Sequence, residues 1–271
     1  ALKVAGPGVE VRVAQGIYKP DRRYEIRRDG NRVVASGKRT DSFVLPSGGT
    51  LKGGYAGYGA ANPDHRDIAA FQTILSGDLA GNDIGLKDYD SHSIAAFVLD
   101  KSRTDNSLTV IMTGPAGGAP VVDGFTITGG HAGTQYPGHN RGDTASALID
   151  MDGAGAFLSS GSPRFVRCTF RLNTTCAGEG GAAGGAGVLC MNASPTFVEC
   201  DFRENFAFAS AGTCIGGAMR NILANPVLTN CTFTGNVVSG VDGQYWGGAI
   251  ANYNSSPTLT GCRFQANLAV R

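Results

Sequence analysis

The chain has 271 residues, with 23 Lys and Arg against 22 Asp and Glu, so no overall basic field exists to draw in nucleic acid or an anionic membrane. Its 41 Gly, 42% hydrophobic and 8% aromatic residues exclude disorder and suit an ordered, turn-rich β protein, and no run of about 18 apolar residues offers a membrane span. Seven Cys is an odd number and excludes a fully paired disulfide framework within one chain.

Ala1 is not followed by the basic segment and apolar core of a signal peptide, so the sequence is expected to be soluble and already processed or cut from something longer. Short apolar runs bounded by Gly, Asn, Ser or Pro predict strands at 9–13, 42–45, 50–55, 73–75, 95–99 and 108–112. The Arg- and Asp-rich stretch 18–41 is expected to leave the main body as an excursion or hairpin. Asp78, Asn82, Asp83, Asp88 and Asp90, interspersed with Gly77, Gly81 and Gly85, are the densest set of oxygen ligands, and a Ca2+ ion is the cation expected there. Their spacing follows no EF-hand pattern, and a polar loop capped by Asx turns accounts for the same residues. The four histidines, His65, His92, His131 and His139, form no close pair suited to zinc.

Residues 121–130 carry a degenerate form of a phrase that becomes regular later, with Gly124 and Phe125 near its Cys and Phe positions. An insertion follows over 131–152. It contains Arg141-Gly142-Asp143, a tripeptide with a cell-attachment role in some adhesins, so Arg141 and Asp143 are candidate binding residues.

From 153 onward one phrase recurs. Pro163, Pro195, Pro226 and Pro257 open it at intervals of 32, 31 and 31 residues. Each is followed by a Cys (Cys168, Cys200, Cys231, Cys262), a Phe (Phe170, Phe202, Phe233, Phe264) and an Asn (Asn173, Asn205, Asn236, Asn267). Self-similarity at this period marks a stacked repeat. The apolar stretches are three to five residues long and alternate with period two, and no helical stripe interrupts a unit. The expected fold is all-β: a right-handed parallel β-helix with three short strands per coil, successive coils lying about 4.8 Å apart. Equivalent residues then form columns. The Phe and Cys columns are expected to fill the interior and the Asn column a corner, with Asn itself in the left-handed conformation. Gly153 and Gly155, Gly184 and Gly185, Gly216 and Gly217, and Gly247 and Gly248 are expected at another corner. The variable stretches 174–183, 206–215 and 237–246 are expected as loops along one edge. Tyr245 and Trp246 end one of them near Tyr253, where they either stack on sugar rings or pack the loop down. Cys176 and Cys214 fall in consecutive stretches and can pair, whereas Cys190 is read as a buried thiol. The sequons at Asn173, Asn192, Asn230 and Asn254 arise readily in such turns and are not read as glycosylated. The whole is read as one domain, 1–271, with irregular coils over 1–130 and regular ones over 153–271.

Gly-Gly-Ala-Ile at 247–250, Gly-Gly-Ala-Met at 216–219 and the four Phe-x-x-Asn elements resemble the repeats of polymorphic outer-membrane proteins and, more broadly, the β-helices of the pectate-lyase-like superfamily. Gly16-Ile17-Tyr18-Lys19-Pro20, 51–57 and 74–83 look like the opening coils of large secreted bacterial β-helix proteins. That superfamily holds lyases, glycosidases, adhesins and surface fibres, so the resemblance implies a fold more than a function. Gly138-His139-Asn140 lacks the second Gly of the polygalacturonase-like element, and no paired Asp accompanies it. Arg167, Arg171, Arg203, Glu199, Asp201 and Glu204 alternate in sign between coils and read as solvated column neighbours, not as a metal cage. The resulting expectation is a non-enzymatic extracellular or cell-surface scaffold, adhesin-like or fibre-forming. Its partners would be further coils or copies of itself end to end, a polysaccharide or a surface receptor. The competing expectation is a polysaccharide lyase or glycoside hydrolase acting on acidic polysaccharide.

Overall fold

The computed structural model describes residues 6–20, 22–27, 30–35, 38–86, 91–114, 118–133, 152–178 and 181–270. Its strands wind into a right-handed parallel β-helix of seven coils. Among the described residues every strand pairing between coils is parallel, and an antiparallel hairpin, Arg22–Arg27 with Gly30–Ala35, leaves the first coil where an excursion was expected. A first sheet runs from Glu10–Ala14 to Thr258–Thr260 and a second from Gly16–Tyr18 to Arg263–Gln265, each with seven strands.

A late coil carries five short strands, not three. The fourth coil consists of Arg164–Val166, Thr169–Arg171, Thr174–Ala177, Ala182–Gly184 and Val188–Met191. Single left-handed residues break what looks like one strand in the sequence: Arg167 has φ 48° and Leu172 φ 53°. Side chains on either side of each break keep the period-two pattern, so the break is silent in the sequence. The stretches expected as loops are the third and fourth sheets, Thr174–Ala177 and Ala182–Gly184 in this coil, Phe206–Ala209 and Thr213–Ile215 in the next. Parallel pairing uses backbone groups and tolerates unlike side chains in successive coils, which is why these strands show no repeat.

The interior columns are continuous. Phe170, Phe202, Phe233 and Phe264 stack at ring-centroid distances of 5.1, 4.6 and 4.8 Å. Phe165 and Phe197 stack beside them at 5.2 Å, edge-on to the first column. Cys168, Cys200 and Cys231 are buried with them, while Cys262 and Phe264 lie on the last described coil and Phe264 is 49% exposed.

Asn173, Asn205 and Asn236 are fully buried, and each amide binds the coils on both sides. Asn205 Nδ2 donates to Phe170 O at 2.9 Å and to Asn236 Oδ1 at 2.9 Å, while Asn205 Oδ1 accepts from the backbone N–H and Nδ2 of Asn173. The left-handed residue at this corner is the one before the Asn: Leu172, Glu204, Gly235 and Ala266 all have φ between 51° and 63°. The expectation that Asn adopts that conformation is corrected. Turning the preceding residue aims the amide inward, where it replaces the ladder partners the corner removes.

The stretch 95–99, expected as a strand, belongs to an α-helix, Ser91–Val98. Ile94, Phe97 and Val98 lie on one helical face and pack with Cys176, Phe206, Phe208 and Val237 on the outer face of the third sheet. The inner face of that sheet packs Ala177, Ala207 and Ala209 against Ala183, Cys214 and Val238. Both faces are therefore apolar, and the strands lose the alternation that would have revealed them.

Candidate functional site

The loop between Thr50–Tyr55 and Thr73–Ser76 folds back over the outer face of the second sheet. Arg66 clamps it there, its Nε donating to Gly53 O at 2.9 Å and its Nη2 to Asp123 O at 3.2 Å. Ile68 of the same loop fits against Gly54 and Gly124, and a Cβ at Gly124 would lie 2.8 Å from Ile68 Cδ1. Both glycines have positive φ, so a side chain there would meet strain as well as collision.

Under this loop lies a groove of about 360 Å³ lined by Ile68, Gln72, Thr126, Arg167, Arg171 and Arg203, among others. Its charges are arranged unequally. Asp123, 8% exposed, holds Arg167 through a two-pronged contact at 2.7 and 2.8 Å and Arg66 at 3.0 Å. Asp201 sits 3.4 Å from Arg203 Nε, within ion-pair reach but outside hydrogen-bond geometry, and its Oδ1 accepts from the Thr232 hydroxyl at 2.7 Å. Arg171 has neither: its Nε is buried without a hydrogen-bond partner, and it forms no ion pair among the described residues.

Arg171 and Arg203 face each other in register on neighbouring strands. The same column reads Ser76, Thr128, Arg171, Arg203, Thr234 and Gln265. Like charges directly opposite each other destabilise a sheet, and neutral side chains serve the other four positions of the column. Sequence reasoning placed these arginines among solvated neighbours and missed Arg66, Ile68 and Gln72, which come from a loop about a hundred residues away in the chain. The like-charged pair in one column was the available signal.

Of the residues expected to hold Ca2+, Asp78 and Asp83 make contacts within the chain. Asp78 caps its own loop, accepting from the backbone N–H groups of Gly81, Asn82 and Asp83. Asp83 pairs with the buried Arg103 at 3.0 Å and accepts from Asn106. Burial pushes the Asp83 carboxyl up, against the pull of Arg103. Asp88 and Asp90 lie outside the described residues, and no group of three or more His, Cys, Asp or Glu among the described residues is placed to hold a metal.

Arg103 is the hub of a second polar cluster. It donates to Thr174 Oγ1 at 3.1 Å and Leu172 O at 3.0 Å, and sits 4.5 Å over the Phe97 ring. His131 Nδ1 meets the same Thr174 hydroxyl at 2.7 Å, and Nε2 lies 3.8 Å from Cys176 Sγ. Burial, reinforced by Arg103 and Arg39, holds His131 well below the usual histidine range. Cys176 and Cys214, whose pairing the sequence left open, are both free thiols, as is the buried Cys190. The two thiols sit in different sheets, and burial pushes Cys214 up to about 12.

Tyr245 and Trp246 point to opposite sides of their strand. Tyr245 packs against the buried alanine cluster, whereas Trp246 is 54% and Tyr253 64% exposed. The three aromatics therefore do not form one platform. Arg141 and Asp143 lie outside the described residues. The chain matches no protein-family model, no curated protein and no solved structure.

Proposed function

We propose that this chain is a non-enzymatic β-solenoid scaffold of the cell surface or extracellular space, adhesin-like, whose rigid outer face recognises a ligand. One observation carries the reading. In the groove the groups left for a ligand are guanidinium groups, while its carboxylates, Asp123 and Asp201, are held by arginines or by Thr232. Catalysis by general acid and base needs a proton donor and acceptor at the reacting atom, and neither carboxylate is placed to act. The stacked coils suit membership of the pectate-lyase-like superfamily, and the repeats are similar to those of polymorphic outer-membrane proteins. In that setting the half-exposed Phe264, Leu259 and Leu268 of the last described coil would meet a further coil of the same protein or a second copy.

The arginine groove also favours a second reading, a lyase or hydrolase of acidic polysaccharide, because a cationic cleft beside an irregular loop is where such a substrate would lie. Incubation with polygalacturonate and alginate, with and without calcium, separates the two. The scaffold reading expects no unsaturated or shortened product; turnover abolished by Arg171→Ala would replace it with the enzymatic one.

A further inference from the structure

We propose that the groove under the 56–72 loop binds a tetrahedral oxyanion, a sulfate or phosphate group carried by an exogenous ligand, through Arg171 and Arg203. The inference rests on the scaffold reading and names the chemistry its groove would recognise. Three features converge on it. The two guanidinium groups sit on adjacent strands in register, so their column neighbours are about 4.8 Å apart. Both Nε atoms are buried without a hydrogen-bond partner, although each is a strong donor. Finally, Asp201, the carboxylate within ion-pair reach of Arg203, is shared with Thr232.

Burying unpaired donors and stacking like charges both cost stability, and proteins break such rules mainly where a ligand completes the site. A planar carboxylate satisfies one guanidinium edge in a single plane. Two guanidinium groups on successive strands, one above the other, need oxygens that leave the anion in different planes. A tetrahedral group supplies them. Ile68 and Ala69 give an apolar wall, and Gln72, Thr126 and Thr169 give neutral polar contacts, so the carrier of the anion has a partly apolar, hydroxylated surface to rest on.

Titration of the purified chain at low salt with sodium sulfate and sodium phosphate, followed by calorimetry, tests the proposal. Saturable binding is expected, weakened about tenfold or more by Arg171→Ala or Arg203→Ala, the scale of losing one charge-assisted contact. Arg164→Ala, at an exposed position of the first sheet, should leave it unchanged, and circular dichroism of each variant checks that the coils remain. A sulfated oligosaccharide and a phosphorylated one then identify the carrier. Oligogalacturonate, with carboxylates alone, should bind more weakly than either. Absence of saturable binding, equal binding by Arg171→Ala, or oligogalacturonate binding as tightly as the sulfated ligand would overturn the proposal. None of these outcomes touches the turnover assay, so the two readings fail separately.

Discussion

Coils four to six and coils one to three close the same cylinder by different means. In the later coils the repeated positions build columns: a phenylalanine column, a cysteine column and an asparagine column run through the interior, and each coil asks the next for the same contact. In the earlier coils single polar devices stand in for columns: Arg66 clamps one loop, Asp78 caps another, and Arg103 joins a helix to the third sheet. The comparison teaches that periodic sequence provides stacking, and that the groove forms where an aperiodic loop is laid across periodic coils.

One large effect should come from the aperiodic side. Arg103→Ala removes a buried cation from Asp83, Thr174 and Leu172 and should cost about 3 to 5 kcal/mol, because the partner charge stays buried. Urea unfolding followed by tryptophan fluorescence and circular dichroism measures it. If the two probes separate, the early and late coils unfold as distinct units. On the periodic side, Phe202→Ala should cost about 3 to 5 kcal/mol, as deletion of a buried ring does elsewhere. Phe264→Ala, on a coil where the ring is 49% exposed, should cost less than half as much. Equal losses would mean that the column is not the stabilising element.

Asn205→Ala should cost about 2 to 3 kcal/mol, since it leaves donors of Asn173 and the carbonyl of Phe170 without partners in a dry interior. Asn205→Asp, which keeps the acceptor but loses the donors, separates the two halves of that loss. A further test lies in pH dependence. Burial, outweighing Arg220, raises the Asp152 carboxyl to about 7. The folded chain then keeps a proton that the unfolded chain releases near pH 4, so this group's contribution to stability declines as pH rises from about 4 to about 7 and is flat above. Asp152→Asn cannot ionise. Between pH 4.5 and 7.5 the urea midpoint of the parent chain should fall relative to that of Asp152→Asn, and parallel curves would show that the pair ionises as readily as an exposed one.

Much of the fold was legible because identical side chains at a fixed interval have one economical use, a column. Phe170, Phe202, Phe233 and Phe264 could be placed together from spacing alone. The left-handed residues were not legible. Arg167, Leu172, Glu199 and Glu204 adopt a conformation usually left to Gly or Asn, since interior stacking on both sides determines the corner. The helix carried a readable signal in Ile94, Phe97 and Val98, but the five-residue window 95–99 cut that stripe and left an apolar run with the look of a strand. The groove was hidden for a different reason. Arg171 and Arg203 share a repeat position, but Ile68 and Gln72 reach them only once the chain has wound further coils.

The central claim is that successive coils stack in register, and a single column tests it. Glu10, Thr50, Val121, Arg164, Thr196, Val227 and Thr258 follow one another across the first sheet. Spin labels on Thr258 paired in turn with Val121, Thr50 and Glu10 should give electron–electron distances that lengthen in equal steps of about 4.8 Å, one per coil, despite very unequal separations along the chain. Unequal steps, or a distance that follows sequence separation, would contradict the stacked solenoid.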